Sequence, residues 1–342
     1  MRLVLYPLSV IYKIITSLRN LLFDYRILES RTHSIPVICI GNLSIGGTGK
    51  TPHTSYIAKL LSKKHKIAIL SRGYGRKSSN FNYVESDSTT SSVGDEPLQL
   101  KFNNSNCIVA VSNNRNIGIE KILIDHPEID LILLDDGFQH RKIRAGLNII
   151  ITPFKKPFIK NDLLPLGTLR EASSGAKRAD IILISKTPKE IDSKRKKEVL
   201  ESLNIEKHQK GYFSSITYHK YKNIRTDAEL DNEEEYSITL VCAIADPNPL
   251  VQYLKKKEQK VNVIKFRDHY NYTKKDIDNI LLIYNKDKST KKLILTTEKD
   301  ATKLRELLTN FKKEDVYYIP IEITINDNKI FEEQLSDYVK RN

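Results

Sequence analysis

Cysteine is nearly missing from this sequence: Cys39, Cys107 and Cys242 are the three in 342 residues, far apart and without a CxxC pair. That excludes a disulfide framework or a thiolate zinc site, and fits a reducing compartment. Long apolar runs are missing as well. No stretch reaches the ~18 uncharged apolar residues of a conventional transmembrane helix. There is no RNP-like stretch, zinc-finger spacing or helix-turn-helix cue, so the net charge of +14 does not argue for nucleic acid. Lysine is abundant throughout, and most of the charge is read as a compositional habit; what it leaves open is an anionic membrane or a phosphorylated substrate. Internal repeats are absent. What is present, 39% hydrophobic and 29% charged residues, describes a globular chain long enough for two domains.

Residues 1–30 read as one unit. At ~100° per residue, Val4, Leu8, Ile11, Ile15, Leu18 and Leu22 share a helical face that Leu3, Val10, Ile14 and Leu21 widen. Arg2, Ser9, Lys13, Thr16 and Asn20 gather opposite. An amphipathic helix with cations on its polar face suits a membrane interface. A signal peptide is disfavoured, because no A-x-A-like site follows and Lys13 interrupts the apolar stretch. Packing on its own domain is the remaining alternative.

From residue 35 short apolar runs alternate with helical patterns: 35–40, 66–70, 107–111, 131–134, 147–151 and 181–184 are strand candidates. This predicts an α/β fold, a mostly parallel sheet with helices on both faces. Residues 75–93 predict an exposed hairpin or loop, and the charged run from Lys189 to Lys197 opens a solvated helix. The polar stretch 226–235 marks a boundary. The expected units are therefore the helix at 1–30, a core domain at 31–225, and a smaller α/β domain at 226–342 with strands at 238–243, 261–266, 293–296 and 316–319.

Ser44-Ile45-Gly46-Gly47-Thr48-Gly49-Lys50-Thr51 lies between a predicted strand and a predicted helix. Glycines let backbone N–H groups turn toward a phosphate, and the helix N-terminus adds positive potential. Lys50 would reach the β/γ-phosphates of ATP and the Thr51 hydroxyl would bind Mg²⁺. Ser44 stands where the usual first glycine belongs. The run Leu131–Leu134 ends in Asp135-Asp136, a buried strand delivering carboxylates for Mg²⁺ beside that loop. Arg72, among the glycines of Arg72-Gly73-Tyr74-Gly75, suits an anionic group or simply a tight turn. Gly94-Asp95-Glu96-Pro97 places two acids where one could take a hydroxyl proton or begin a helix. Asp268-His269 follows a strand of the second domain.

Together these pieces resemble the tetraacyldisaccharide 4'-kinase family. The matching segments are GNLSIGGTGKTP at 41–52, SRGYGR at 71–76, GDEP at 94–97, DDGFQHR at 135–141, LLPLGTLRE at 163–171, RADIILISKTP at 178–188, FRDHYNY at 266–272 and TTEKDATKL at 296–304. The resemblance implies transfer of the ATP γ-phosphate to the 4'-hydroxyl of an acylated diglucosamine 1-phosphate in lipid A biosynthesis. It implies a P-loop NTPase-type fold and places the reaction at the cytoplasmic face of the bacterial inner membrane, with a monotopic N-terminal helix; no obligate protein partner is evident from the sequence. It implies Asp95 paired with His269 as the catalytic base, with Lys50 and Arg72 beside the transferred phosphate. Thr51, Asp135, Asp136 and Glu171 form the magnesium region. Arg72, Tyr74, Glu96, Gln139, His140 and Arg170 are the implied substrate contacts. The sequence departs from the family pattern at 143–146, Ala172 and Asp246, which bears on fine substrate contacts. A membrane-associated P-loop ATPase that switches a protein partner is the rival reading. Its lysine just before the glycine pair is here Ile45. A regulator without catalysis is a further rival, opposed by an acid–base pair split between two domains.

Overall fold

In this computed structural model, residues 2–311 and 315–341 are described, with side chains from residue 5 onward. The sequence begins with helix α1 (Arg2–Asp24). Strand β1 (Val37–Gly41), helix α2 (Lys50–Leu61) and strand β2 (Ile67–Ser71) follow. The expected exposed segment 75–93 holds a two-residue strand β3 (Asn82–Tyr83) and a single turn α3 (Thr90–Val93). Then come α4 (Asp95–Asn103), β4 (Ile108–Val111), α5 (Arg115–Asp125) and β5 (Leu131–Asp135). The series continues with β6 (Leu147–Pro153), β7 (Ile181–Ser185), α6 (Ser193–Ser202) and β8 (Lys210–Tyr218).

These strands order as β14-β8-β7-β6-β1-β5-β2-β4-β3, parallel except at the two edges, where β14 (Ile321–Ile325) and β3 run antiparallel. Successive side chains point to opposite faces, so continuous apolar strands feed two cores. Ile38, Ile40, Leu131, Leu133 and Ile149 meet α2 and α4 on one face. Cys39, Leu70, Ile132, Leu134 and Ile150 meet α5 and α6 on the other.

The second sheet is β11-β10-β12-β13-β9. Its strands are β9 (Lys222–Asn223), β10 (Ser237–Cys242), β11 (Val261–Lys265), β12 (Lys292–Thr297) and β13 (Val316–Ile319). Helices α7 (Asn248–Lys256), α8 (Lys274–Lys286) and α9 (Glu298–Arg305) connect them. The division between units differs from the expected break at 226. The second sheet already takes residues 222–223, and β14 with α10 (Asn328–Arg341) returns to the first sheet. Phe331 and Leu335 of α10 complete that core beneath α2.

Helix α1 is attached by its polar edge. Ser9 Oγ donates to the Leu163 carbonyl (3.0 Å) and Tyr12 Oη to the Arg170 carbonyl (2.8 Å). Arg19 donates to the Gln139 carbonyl (2.9 Å) and Asn20 Nδ2 to Glu171 Oε2 (2.7 Å). The apolar face points away from the protein: Leu8, Ile11, Ile14, Ile15, Leu18 and Leu21 are all exposed, Ile14 at 60%. Arg2, Leu3 and Val4, assigned to the two faces by the pattern, lie outside the described side chains. No helix among the described residues is long and apolar enough to cross a membrane.

Candidate active site

The loop from β1 to α2 is built around a left-handed turn. Gly46 (φ 100°) and Gly49 (φ 96°) occupy backbone conformations that residues with a Cβ rarely adopt. Ser44, buried in place of the first glycine, pairs with Leu169 in an isolated bridge, and the Ile45 amide donates to the Thr168 carbonyl (2.8 Å). Lys186 donates to the Gly47 carbonyl and Ser185 to the Thr48 carbonyl, each at 2.7 Å. Burial lowers the His53 pKa to about 4. The neutral ring therefore donates from Nδ1 to the Gly49 carbonyl (2.7 Å) and accepts at Nε2 from Ser214 (2.8 Å). The phosphate loop is thus held through its carbonyls, and the Thr48 amide donates back to the Gly46 carbonyl (2.9 Å).

Lys50 and Thr51 begin α2, both buried. Lys50 Nζ lies 3.7 Å from Asp136 Oδ2. Asp135 ends β5 and accepts from Thr54 (2.9 Å) and Ser71 (3.2 Å). Burial, with the Glu96 and Asp136 carboxylates nearby, raises its pKa to about 7. Asp136 has a left-handed backbone (φ 51°). Burial opposes its charge too, yet Lys50, Arg170 and Arg115 hold its pKa below the ordinary carboxylate value. Arg170 Nη1 donates to both its oxygens, at 2.9 and 3.0 Å. Adjacent carboxylates of one strand end thus have opposite tendencies, because Asp136 is paired with Lys50 and Arg170 while burial and the neighbouring carboxylates outweigh Lys50 at Asp135.

Asp95 and His269 meet, although 174 residues and two sheets separate them: Nδ1 lies 3.1 Å from Oδ2 and 3.2 Å from Oδ1. Asp95 opens α4, and His269, also left-handed (φ 58°), follows β11. The carboxylate sits behind the ring, 5% exposed against 29% for His269. Tyr74 approaches the imidazole edge-on, with centroids 5.5 Å apart. Glu96 Oε1 is 3.9 Å from His269 Nε2.

The remaining predicted residues divide. Arg72 follows β2, is exposed, and has no hydrogen bond or ion pair among the described residues. Gln139 donates to the Asn42 carbonyl (2.8 Å) and accepts from Arg170 (3.3 Å). His140 is held neutral, its pKa lowered to about 4 by burial and by Arg115, and its Nε2 has no partner among the described residues. Glu171 is the one the fold takes elsewhere. Its oxygens accept from Asn20, Gln139 and Arg178, tying α1 to the core instead of turning to Asp135 and Asp136.

A family model described as tetraacyldisaccharide-1-P 4'-kinase, LpxK, matches residues 1–340, the whole span from α1 to α10. The chain belongs to this family. A tetraacyldisaccharide 4'-kinase of Bacteroides thetaiotaomicron is 40% identical over 99% of this chain and 93% of its own length. One from Flavobacterium psychrophilum is 39% identical over 99% and 97%. The crystal structure of LpxK from Aquifex aeolicus in complex with ATP superposes with a TM-score of 0.78 at 28% identity, covering 99% of both chains.

Three cations escaped the sequence reading of this 4'-kinase family member. Arg115 is 3% exposed, and burial lowers its pKa to about 10 against the pull of Asp136 and Asp135. Lys299 and Lys303 of α9 flank the Asp95–His269 pair. Their spacing of four on a helix that follows a strand was the available signal, but nothing in the sequence says which carboxylate they face.

Proposed function

We propose that this protein transfers the γ-phosphate of ATP to the 4'-hydroxyl of a tetraacyl-diglucosamine 1-phosphate in lipid A biosynthesis. The observation that carries the reading is the Asp95–His269 contact at 3.1 Å, formed by the second unit closing over the sheet edge that holds Lys50 and Asp136. Phosphoryl transfer needs positioning and charge neutralisation more than covalent help. The amides of Gly46, Gly47, Gly49 and Lys50 cradle the phosphates, and Lys50 leaves Asp136 to meet the β/γ oxygens. Arg72, exposed and unpaired, meets the transferred group or the lipid headgroup. The hydroxyl proton passes to the carboxylate–imidazole pair as the new P–O bond forms and the bond from the γ-phosphorus to the departing ADP breaks.

The donors fit Mg²⁺. Asp135 is buried with no ion pair among the described residues, and Thr51, Asp135 and Asp136 offer the hard oxygens this ion takes alongside phosphates and water. When bound it would supply charge neutralisation to the phosphates. Glu171, already bonded to three donors, is left out of that set.

The outward apolar face of α1 supports docking on a membrane, at the cytoplasmic face of the inner membrane where ATP is supplied. Helix α1 is bonded to the Arg170 and Gln139 backbone, so the bilayer and the reacting groups share one framework. The deciding experiment measures ATP turnover with and without an added acylated glucosamine disaccharide 1-phosphate. Turnover that depends on it and yields the 4'-phosphate is expected. Turnover indifferent to the disaccharide overturns the kinase reading in favour of an ATPase that switches a partner.

A further inference from the structure

Two lysine side chains of α9 and one backbone amide of α4 converge on the Asp95–His269 pair. Lys303 Nζ is 2.8 Å from Asp95 Oδ2, and both side chains are 5% exposed. The same ammonium donates to the Tyr270 carbonyl at 3.1 Å, so it grips the carboxylate and the His269 loop together. The Glu96 amide donates to Asp95 Oδ1 at 2.9 Å. With both oxygens held, the carboxylate has one orientation.

One turn earlier, Lys299 Nζ lies 3.1 Å from His269 Nε2. An ammonium has donors only, so an imidazole nitrogen facing it must offer a lone pair. The ring proton then belongs on Nδ1, where Asp95 accepts it. Lys299 is anchored in turn by Glu96 Oε1 at 3.3 Å and Asp268 Oδ1 at 3.4 Å. We propose that Lys299 and Lys303 are positioning residues for this pair: Lys303 fixes the Asp95 carboxylate, and Lys299 fixes His269 as the Nδ1–H tautomer by donating to its Nε2 lone pair. This rests on the kinase reading for what the pair does, and on geometry alone for how it is held.

The same contacts predict a shift with pH. Burial alone would raise the Asp95 pKa, but the His269 hydrogen bond, Lys299 and Lys303 carry it far below the usual carboxylate range. The hydrogen bond to Asp95 raises the His269 pKa, while burial and Lys299 oppose the rise and Glu96 adds to it. Burial opposes the Lys299 charge, but Glu96, Asp95, Asp268 and Asp300 together outweigh it and raise the Lys299 pKa. Removing either lysine therefore lets the pair bind its proton at higher pH.

The test uses full-length protein with ¹⁵N-labelled histidine, followed by kcat against pH for Lys299→Met, Lys303→Met and Lys303→Arg. The expected wild-type spectrum shows His269 protonated at Nδ1, and Lys299→Met moves it toward a tautomer mixture. Lys303→Met is expected to lower kcat on the order of 10²-fold by loosening the geometry, with KM for ATP unchanged. Its acid limb should rise by about one pH unit or more, and Lys303→Arg should restore most of both. An Nε2–H tautomer in the wild type, needing no variant to fold, overturns the proposal, as does an acid limb that stays put in both Met variants. A protein with the Nδ1–H tautomer but no disaccharide-dependent turnover instead overturns the kinase reading and leaves the positioning intact.

Discussion

Replacing Asp95 by Asn keeps the shape of the side chain and one acceptor for the Glu96 amide, but removes the charge that faces Lys303 across 2.8 Å. With both groups 5% exposed, the ammonium is left inside the protein without its counter-ion. Breaking a buried pair this way costs about 3–5 kcal/mol. The Tyr270 carbonyl still accepts from Lys303, so the lower end, about 3 kcal/mol, is expected in urea unfolding. Adding Lys303→Met removes the stranded charge, and the double variant should recover to within about 1 kcal/mol of wild type. Turnover behaves otherwise: it should fall roughly 10²–10⁴-fold in Asp95→Asn and stay down in the double variant. The acid side supplies a third reading. The folded carboxylate is held below its unfolded value of about 4. Its stabilisation is therefore complete above that pH and is lost as pH falls toward the folded value; Asp95→Asn should flatten that part of the stability curve. Equal stability losses in the single and double variants would refute the buried-pair argument, and recovered turnover would refute the catalytic one.

Lys50→Ala should lower kcat at least ~10²-fold by removing a charge aimed at the transferring group; near-normal kinase activity in the folded variant would dismiss the phosphate-loop assignment. Asp95→Ala and His269→Ala should each depress kcat while ATP affinity holds, and the double variant should be scarcely worse than the poorer single one; multiplicative losses would separate the pair. Placing Asp at Ile11 and Ile15, both outward on α1, should release the protein from vesicles without changing its melting temperature, and continued sedimentation with liposomes in high salt would exclude α1 as the anchor.

The phosphate loop and the strand ending in Asp135 could be read directly, because a buried parallel strand is a continuous apolar run and its polar ends are conspicuous. Contacts made at long range were less legible. Only family resemblance brought Asp95 to His269, since neither GDEP nor DHY carries a mark of the other. Strand β14 is not among the expected strands, and local alternation in Ile321–Ile325 does not say that its partner is β8 of the first sheet. Helix α1 showed its two faces plainly. That the polar one is turned inward, bonded to backbone carbonyls at 163, 170 and 139, follows from acceptors that sequence does not display. Glu171 sits beside Arg170 in sequence, and one points at Asp136 while the other points at α1.

The return of β14 has a mechanical side. The chain leaves the first sheet at Tyr218 and re-enters at Ile321, and these two residues are register partners. Both covalent crossings to the second unit therefore lie side by side, as two straps at one margin of the sheet. In the order β14-β8-β7-β6-β1, the phosphate loop after β1 is four strands from that margin, roughly 19 Å at ~4.8 Å per strand. A tilt of about 10° around the straps sweeps a group at that radius through about 3 Å. That is as long as the Asp95–His269 contact that joins the two units.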